Sequence, residues 1–369
     1  MGHYAFVGAV NKQMNQLYKE FCDSVKNPPN VKYSKYGAKS QATTTDTLCG
    51  VAFANMACAE YWNSDNSEDK GPCSQVVCST IAKLGSFHLL LWAREKGHQW
   101  DVWTSHGAAQ GGQLETLKSL HRYGCPWNPD TCKFAAASGN LKVLKYAHEN
   151  GCPWDKCTCA AAAKNGHLDV LKYAHENGCA WHKGTCKGAA AFGNLEVLKY
   201  AHQNGCPWDK LTCLRAAKNG HFECLKYAHE NGCAWHKATC KVAAENGHFD
   251  VLKYAHENGS QWHADTCCCA SRNGHLECLK YAHENSCPWD EETCCFAAEN
   301  GHLACLKYAH ENGCPWDQST CSNAAHKGHL EILEYAIENG CPWDGDYVLS
   351  IGTSQVKAWV QDFKTQSNA

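Results

Sequence analysis

Apolar and polar positions along this chain recur as a block. Residues 158 to 184 read TCAAAAKNGHLDVLKYAHENGCAWHKG. The Ala-rich stretch around Lys156 to Lys164 favours helix, with Asp155 or Thr158 placed to cap its start. It stops at Asn165-Gly166, residue types that accept the left-handed conformation at a helix end. Leu168, Leu171 and Ala174 then share one face of a second helix, from about Leu168 to Asn177, which Gly178 terminates. A Cys-Pro-Trp-Asp type of turn leads into the next block. Ten tryptophans, from Trp100 to Trp343, stand 27 residues apart without an insertion. Periods of that size denote stacked supersecondary units. One helix pair cannot bury its own apolar face, so neighbours must supply the core. The expected fold is all-α, an α-solenoid of stacked helix-turn-helix units of 27 residues, capped at both ends.

The array is drawn from residue 73 to 346, and residues 71–97 form a degenerate first copy with Cys73 in the Trp register. Residues 347–369 read as a closing repeat and tail. Residues 1–63 lie outside the period and are expected to form a helical cap over the first repeat. SDNSEDKGP, residues 64–72, reads as a linker.

Composition narrows the function classes. Net charge is −3 with a pI near 6.7, so no general attraction to nucleic acid or anionic membranes is expected. No apolar run reaches the roughly 18 residues a membrane span needs. The first residues carry neither a signal-peptide nor a myristoylation pattern, and the expectation is an intracellular protein, cytoplasmic or nuclear. The 28 cysteines exceed what an ordinary globular chain carries, yet their even spacing is unlike a short secreted disulfide scaffold.

The block TCxxAAxxGHLEVLKYAHENG resembles the ankyrin repeat, TPLHxAAxxGHLEVVKLLLEAG. Thr158, Ala162, Ala163, Gly166, His167, Leu168, Leu171, Lys172 and Gly178 fall on matching positions. The stretch before the Ala pair is one residue short, and the segment after Gly178 is five shorter. Together these account for 27 residues in place of about 33, and the β-hairpin finger is what is lost. The chain thus resembles the short, fingerless arrays of large DNA viruses and algae, and the resemblance implies a protein-binding scaffold. HYAFVGAVNKQMNQLYKEF, residues 3–21, is similar to the closing helix of F-box-like segments, which would imply a ubiquitin-ligase substrate adaptor.

Cysteine and histidine invite metal or redox chemistry. Cysteines of one column in adjacent repeats lie about 10 Å apart, beyond the roughly 7 Å Cα limit of a disulfide. A bridge within a repeat, such as Cys152 to Cys159, stays open at this point. Cys152, Cys159, His167 and His175 have zinc-ligand chemistry. Other copies place Asn140, Asn194, Ser86, Gln113, Ile337 and Ser260 in those columns, so neither metal nor cofactor is expected. The Gly-His column is read as capping the second helix. The His121 to His310 column is read as a buried polar ladder bonded to neighbouring carbonyls. Lys145, Lys172 and Lys226, each with Glu four residues on, read as a solvated face. A catalytic site needs one constellation of unlike groups, whereas these groups recur in every copy, so no enzymatic activity is expected.

Specificity then falls on the positions that differ between copies. These follow Thr-Cys and the Trp turn: Lys133, Phe134, Lys156, Lys183, Lys187, Lys210, Leu214, Arg215, Lys237, Lys241, Asp265, Glu291 and Glu292. The expectation is one stripe that binds another protein, with a cationic run followed by an acidic one. The partner would be acidic along part of its length. Two variable residues per helical repeat is also the logic of base-reading arrays. The net charge and the scarcity of aromatics at these positions disfavour that alternative.

Overall fold

The computed structural model describes residues 74–95 and 97–367, so the expected N-terminal cap, its F-box-like segment and the 64–72 linker lie outside the described residues. The chain divides into two compact units, 1–182 and 183–369. Among the described residues the first unit holds four helix pairs, from Ser74–Leu84 with Phe87–Glu95 to Lys156–Lys164 with Leu168–Glu176. The second holds seven, from Gly184–Ala191 with Leu195–Gln203 to Gly345–Ile351 with Ser354–Ser367. No strand occurs among the described residues. Within each unit, first helices stack on first helices and second helices lie against them as an outer layer.

Each pair forms for local reasons. Asp155 Oδ1 accepts the backbone N–H of Cys157 at 2.8 Å and alone caps the first helix. Thr158, the other cap candidate, is instead fully buried. The first helix buries Thr158, Cys159, Ala162 and Ala163, small groups that let successive first helices approach closely. The second buries Val170, Leu171 and Ala174. The Leu column from Leu117 to Leu333 is wholly inaccessible to solvent. Each such leucine contributes about 1.5–3 kcal/mol of apolar burial.

The Gly-His column works differently from the sequence reading. His167 makes no side-chain cap for its own helix. Its Nε2 donates to the carbonyl of Ala137, 30 residues earlier, at 3.2 Å. Asn140 Nδ2 donates likewise to Ala109 O at 3.1 Å, and His248 Nε2 to Lys218 O at 3.2 Å. These side chains therefore satisfy orphan carbonyls at the C-terminus of the preceding repeat's first helix. Asn serves there because its amide is also a donor.

The second His column is likewise corrected. It is half-buried, and its partners are aromatic. His148 stacks on Trp154 with centroids 3.6 Å apart and planes 10° from parallel. Tyr173 of the next pair meets the two rings edge-on, at 6.2 and 6.1 Å. Where the ring nitrogen is bonded, the partner is that next tyrosine: His121 Nδ1 to Tyr146 Oη at 3.1 Å, and His256 Nδ1 to Tyr281 Oη at 3.1 Å. Trp262 Nε1 donates onward to Asn285 O at 2.9 Å. The recurring tryptophan is thus a clamp between its own turn and the following second helix.

The Lys face also differs from expectation. Lys145 Nζ lies 5.2 Å from the ring centroid of Tyr173, and Lys307 Nζ 5.1 Å from that of Tyr335, in cation–π geometry. Carboxylate pairing is with the residue three earlier, as in Lys199–Glu196 at 2.9 Å.

Candidate partner-binding surface

The variable positions sit at the start of the first helices and in their first two turns. In the first unit Lys156 is exposed, while Lys133 and Phe134 are half-buried. Lys133 Nζ bonds Asp130 at 2.9 Å and lies 5.7 Å from the Phe134 ring centroid. His106 packs on Phe134 at 5.1 Å, and Trp103, 47 % exposed, meets His106 edge-on at 5.3 Å. This end of the surface is therefore aromatic as well as cationic. Trp103 and His106 are not among the sequence-derived site residues, because their repeat lacks the Thr-Cys pair that marks the variable column. The signal was available, since His106 stands 27 residues before Lys133 in the variable column.

In the second unit Lys183, Lys210, Arg215 and Lys237 are exposed, and Lys187 and Leu214 half-buried. None of these five cations forms an ion pair among the described residues. Lys210 and Lys237 crowd His236, whose pKa is lowered by burial first and by these two cations next. Lys241 departs from the expected free cation. It forms an ion pair with Asp265 of the following repeat. That contact holds the Asp265 carboxyl below the usual carboxylate range. The expected sign change at Asp265 is therefore locally neutralised.

One repeat on, the variable positions are occupied by Cys268 and Cys269, both buried, and the Cys268 thiol donates to Asp265 O at 3.3 Å. Arg272 stacks on Phe296, its Cζ 3.5 Å from the ring centroid. Glu291 and Glu292 are exposed in the first turn of Glu291–Glu299, where the helix dipole favours carboxylates. The second unit thus carries a cationic block and an acidic block, with a neutral, thiol-lined segment between them.

Among the described residues, no three or more His, Cys, Asp or Glu side chains are placed together as they would be to hold a metal ion. No described helix is long and apolar enough to cross a membrane.

A search of curated proteins returns no match. Among solved structures, the chain is similar to the human ASB11 ankyrin repeat domain, at 19 % identity and a TM-score of 0.37. That match covers 42 % of this chain and 84 % of the other. The family model described as ankyrin repeats (many copies) matches residues 132–175 and 187–232. With helix pairs stacked in register through both segments, the chain carries ankyrin repeats in a helical repeat array.

Proposed function

We propose that the chain is a non-enzymatic, intracellular protein-interaction scaffold. Ankyrin repeats are generally protein-interaction modules. The observation that carries the reading is the division of labour within each repeat. The recurring Thr, Cys, Ala and Leu side chains are buried and the recurring His, Trp and Tyr rings pack on one another, while the second unit carries five unpaired cations at variable positions, four of them exposed and Lys187 half-buried. The partner is a protein segment with an acidic stretch, held by steering and rim contacts. A ligase-adaptor role would need the F-box-like segment, which lies outside the described residues.

The test compares the full chain with a Lys183→Glu, Arg215→Glu, Lys237→Glu variant. These exposed changes should cost under ~0.5 kcal/mol each. Fluorescence anisotropy with an acidic peptide of about 20 residues should show binding to the parent, weakened by salt and lost in the variant. Proximity labelling in cells should lose the same neighbours. Equal peptide binding and equal labelling by both proteins would overturn the reading. Binding of a single-stranded oligonucleotide in preference to the peptide would favour the base-reading alternative.

A further inference from the structure

The cysteines pair in a way the sequence spacing conceals. The Sγ of Cys132, in a first helix, lies 3.9 Å from the carbonyl oxygen of Cys152, in the turn that leaves the same repeat's second helix, so the two cysteines abut. Cys159 meets Cys179 in the same way, its Sγ 3.8 Å from the Cys179 carbonyl oxygen, also in the first unit. The second unit has five more pairs at the same separation of 20 residues, beginning with Cys186–Cys206 and ending with Cys321–Cys341. The bridge left open from sequence, Cys152 to Cys159, is not the juxtaposition the fold makes.

Two repeats break the pairing and serve as internal controls. Cys125 faces Ser105, with Oγ and Sγ 3.3 Å apart. Cys240 faces Ser260, towards whose carbonyl its thiol points at 3.7 Å.

The members of a pair are unequal. The helix cysteine is wholly buried, whereas the turn cysteine retains slight exposure: 0 % for Cys132 against 2 % for Cys152, and 0 % for Cys321 against 3 % for Cys341. The Cys152 thiol itself donates to the carbonyl of Asn128 at 3.4 Å. The neighbouring Cys132 and Thr131 groups draw the Cys152 pKa below the ordinary thiol value, against the burial that raises it, while contact with Cys152 and then burial raise that of Cys132. In this pair the turn sulfur, Cys152, is therefore both the more accessible member and the one that ionises first.

We propose that these seven buried dithiols are sites of reversible oxidative modification, each closing into a disulfide within its own repeat when the chain meets a peroxide. The turn thiolate attacks the peroxide, breaking the O–O bond, and becomes a sulfenic acid with release of one water. The helix thiol loses its proton and attacks that sulfur, forming the S–S bond and releasing the second water. For each pair, two thiols and one hydrogen peroxide give one disulfide and two waters. The product clamps the first helix to the exit of the second, closing a loop around both helices of the repeat. Reduction by a low-molecular-weight dithiol restores the starting state.

The test treats the folded full chain with hydrogen peroxide, traps remaining thiols with an alkylating agent in denaturant, and maps linked peptides by mass spectrometry. The expected product has links separated by 20 residues, each pair losing two hydrogens, with Cys125 and Cys240 still alkylated. Its thermal midpoint should rise and should return on reduction. Ser260→Cys should add one link, Cys240 to residue 260. Cys152→Ser, which copies the natural Ser260 arrangement, should remove one link and leave the others. Reaction confined to the less buried Cys157 and Cys295, links between different repeats, or equal oxidation of Cys240 would overturn the proposal.

Discussion

Gly220 and Gly232 end successive helices in the second unit, and replacing each by alanine separates two costs that sequence alone merges. Both have positive φ, +74° and +85°. A Cβ on Gly232 would meet nothing within 4 Å, whereas one on Gly220 would lie 2.6 Å from His248 Nδ1 and 2.7 Å from its Cε1. An L-residue in the left-handed region costs about 1–2 kcal/mol, partly offset by the about 0.4–1 kcal/mol that alanine contributes by stiffening the unfolded chain. Gly232→Ala should therefore destabilise by about 1 kcal/mol. Gly220→Ala must also displace the His248 ring and lose its bond to Lys218 O, about another 0.5–1.5 kcal/mol. Its total should reach about 1.5–2.5 kcal/mol. In a His248→Ala background the obstacle is gone, and Gly220→Ala should fall back to about 1 kcal/mol. Urea unfolding followed by circular dichroism gives the global values. Amide exchange of the 210–230 helices gives the local ones, which matter because repeat arrays can open in parts. Equal costs for the two glycines, or a Gly220→Ala cost indifferent to His248, would refute the reasoning.

Leu252→Ala should destabilise by about 2–5 kcal/mol, because its side chain is fully enclosed; calorimetry showing less than about 1 kcal/mol would contradict the core assignment. The His275 pKa lies below its ordinary value chiefly through burial, opposed by its bond to the Glu245 carbonyl and reinforced by His248 and His302. The unfolded state then takes up the proton more readily, so this histidine's contribution is full above the unfolded value of ~6.5 and is lost as pH falls through the folded pKa. The thermal midpoint should drop between pH 7.5 and 5, and His275→Asn should flatten that drop; identical slopes for both proteins would remove His275 as the cause. Chelation should leave far-ultraviolet dichroism and the thermal midpoint unchanged, and a collapse with release of stoichiometric zinc would show that metal holds the fold.

The helix bounds were legible because their signals are local. Asp155, the Ala run and Asn165-Gly166 delimit Lys156–Lys164 within a dozen residues, and the helix has those limits. The second helix, expected from about Leu168 to Asn177, runs Leu168–Glu176 with Asn177 as its C-cap. The histidines were misassigned because their partners lie one repeat away: Ala137 for His167, Tyr146 for His121. Spacing shows that such residues recur, but a column repeats identically whether it faces its own turn or the next. The Cys132–Cys152 juxtaposition was hidden similarly, because the natural comparison in sequence is with the nearer Cys159.

The same consideration bears on the candidate site. Lys241 and Asp265 are 24 residues apart and looked like the last member of one charge run and the first of another. Their pairing removes both from the free charge that a partner would meet. Cys268 and Cys269, buried at the adjacent variable positions, extend that neutral segment. On the proposed reading, a partner would then engage the second unit through two separated charge blocks. Lys183 to Lys237 would attract its acidic stretch, and Glu291 with Glu292 would repel any continuation of it. Discrimination would arise as much from that repulsion as from the attraction. Acidity confined to one end of the partner is then a stronger requirement than acidity as such. An acidic peptide extended at one end by neutral residues should bind as well as the parent peptide, whereas the same extension made of glutamates should weaken binding. Glu291→Gln with Glu292→Gln should abolish that difference, and anisotropy curves that rank the three peptides by total charge alone would reject the two-block arrangement.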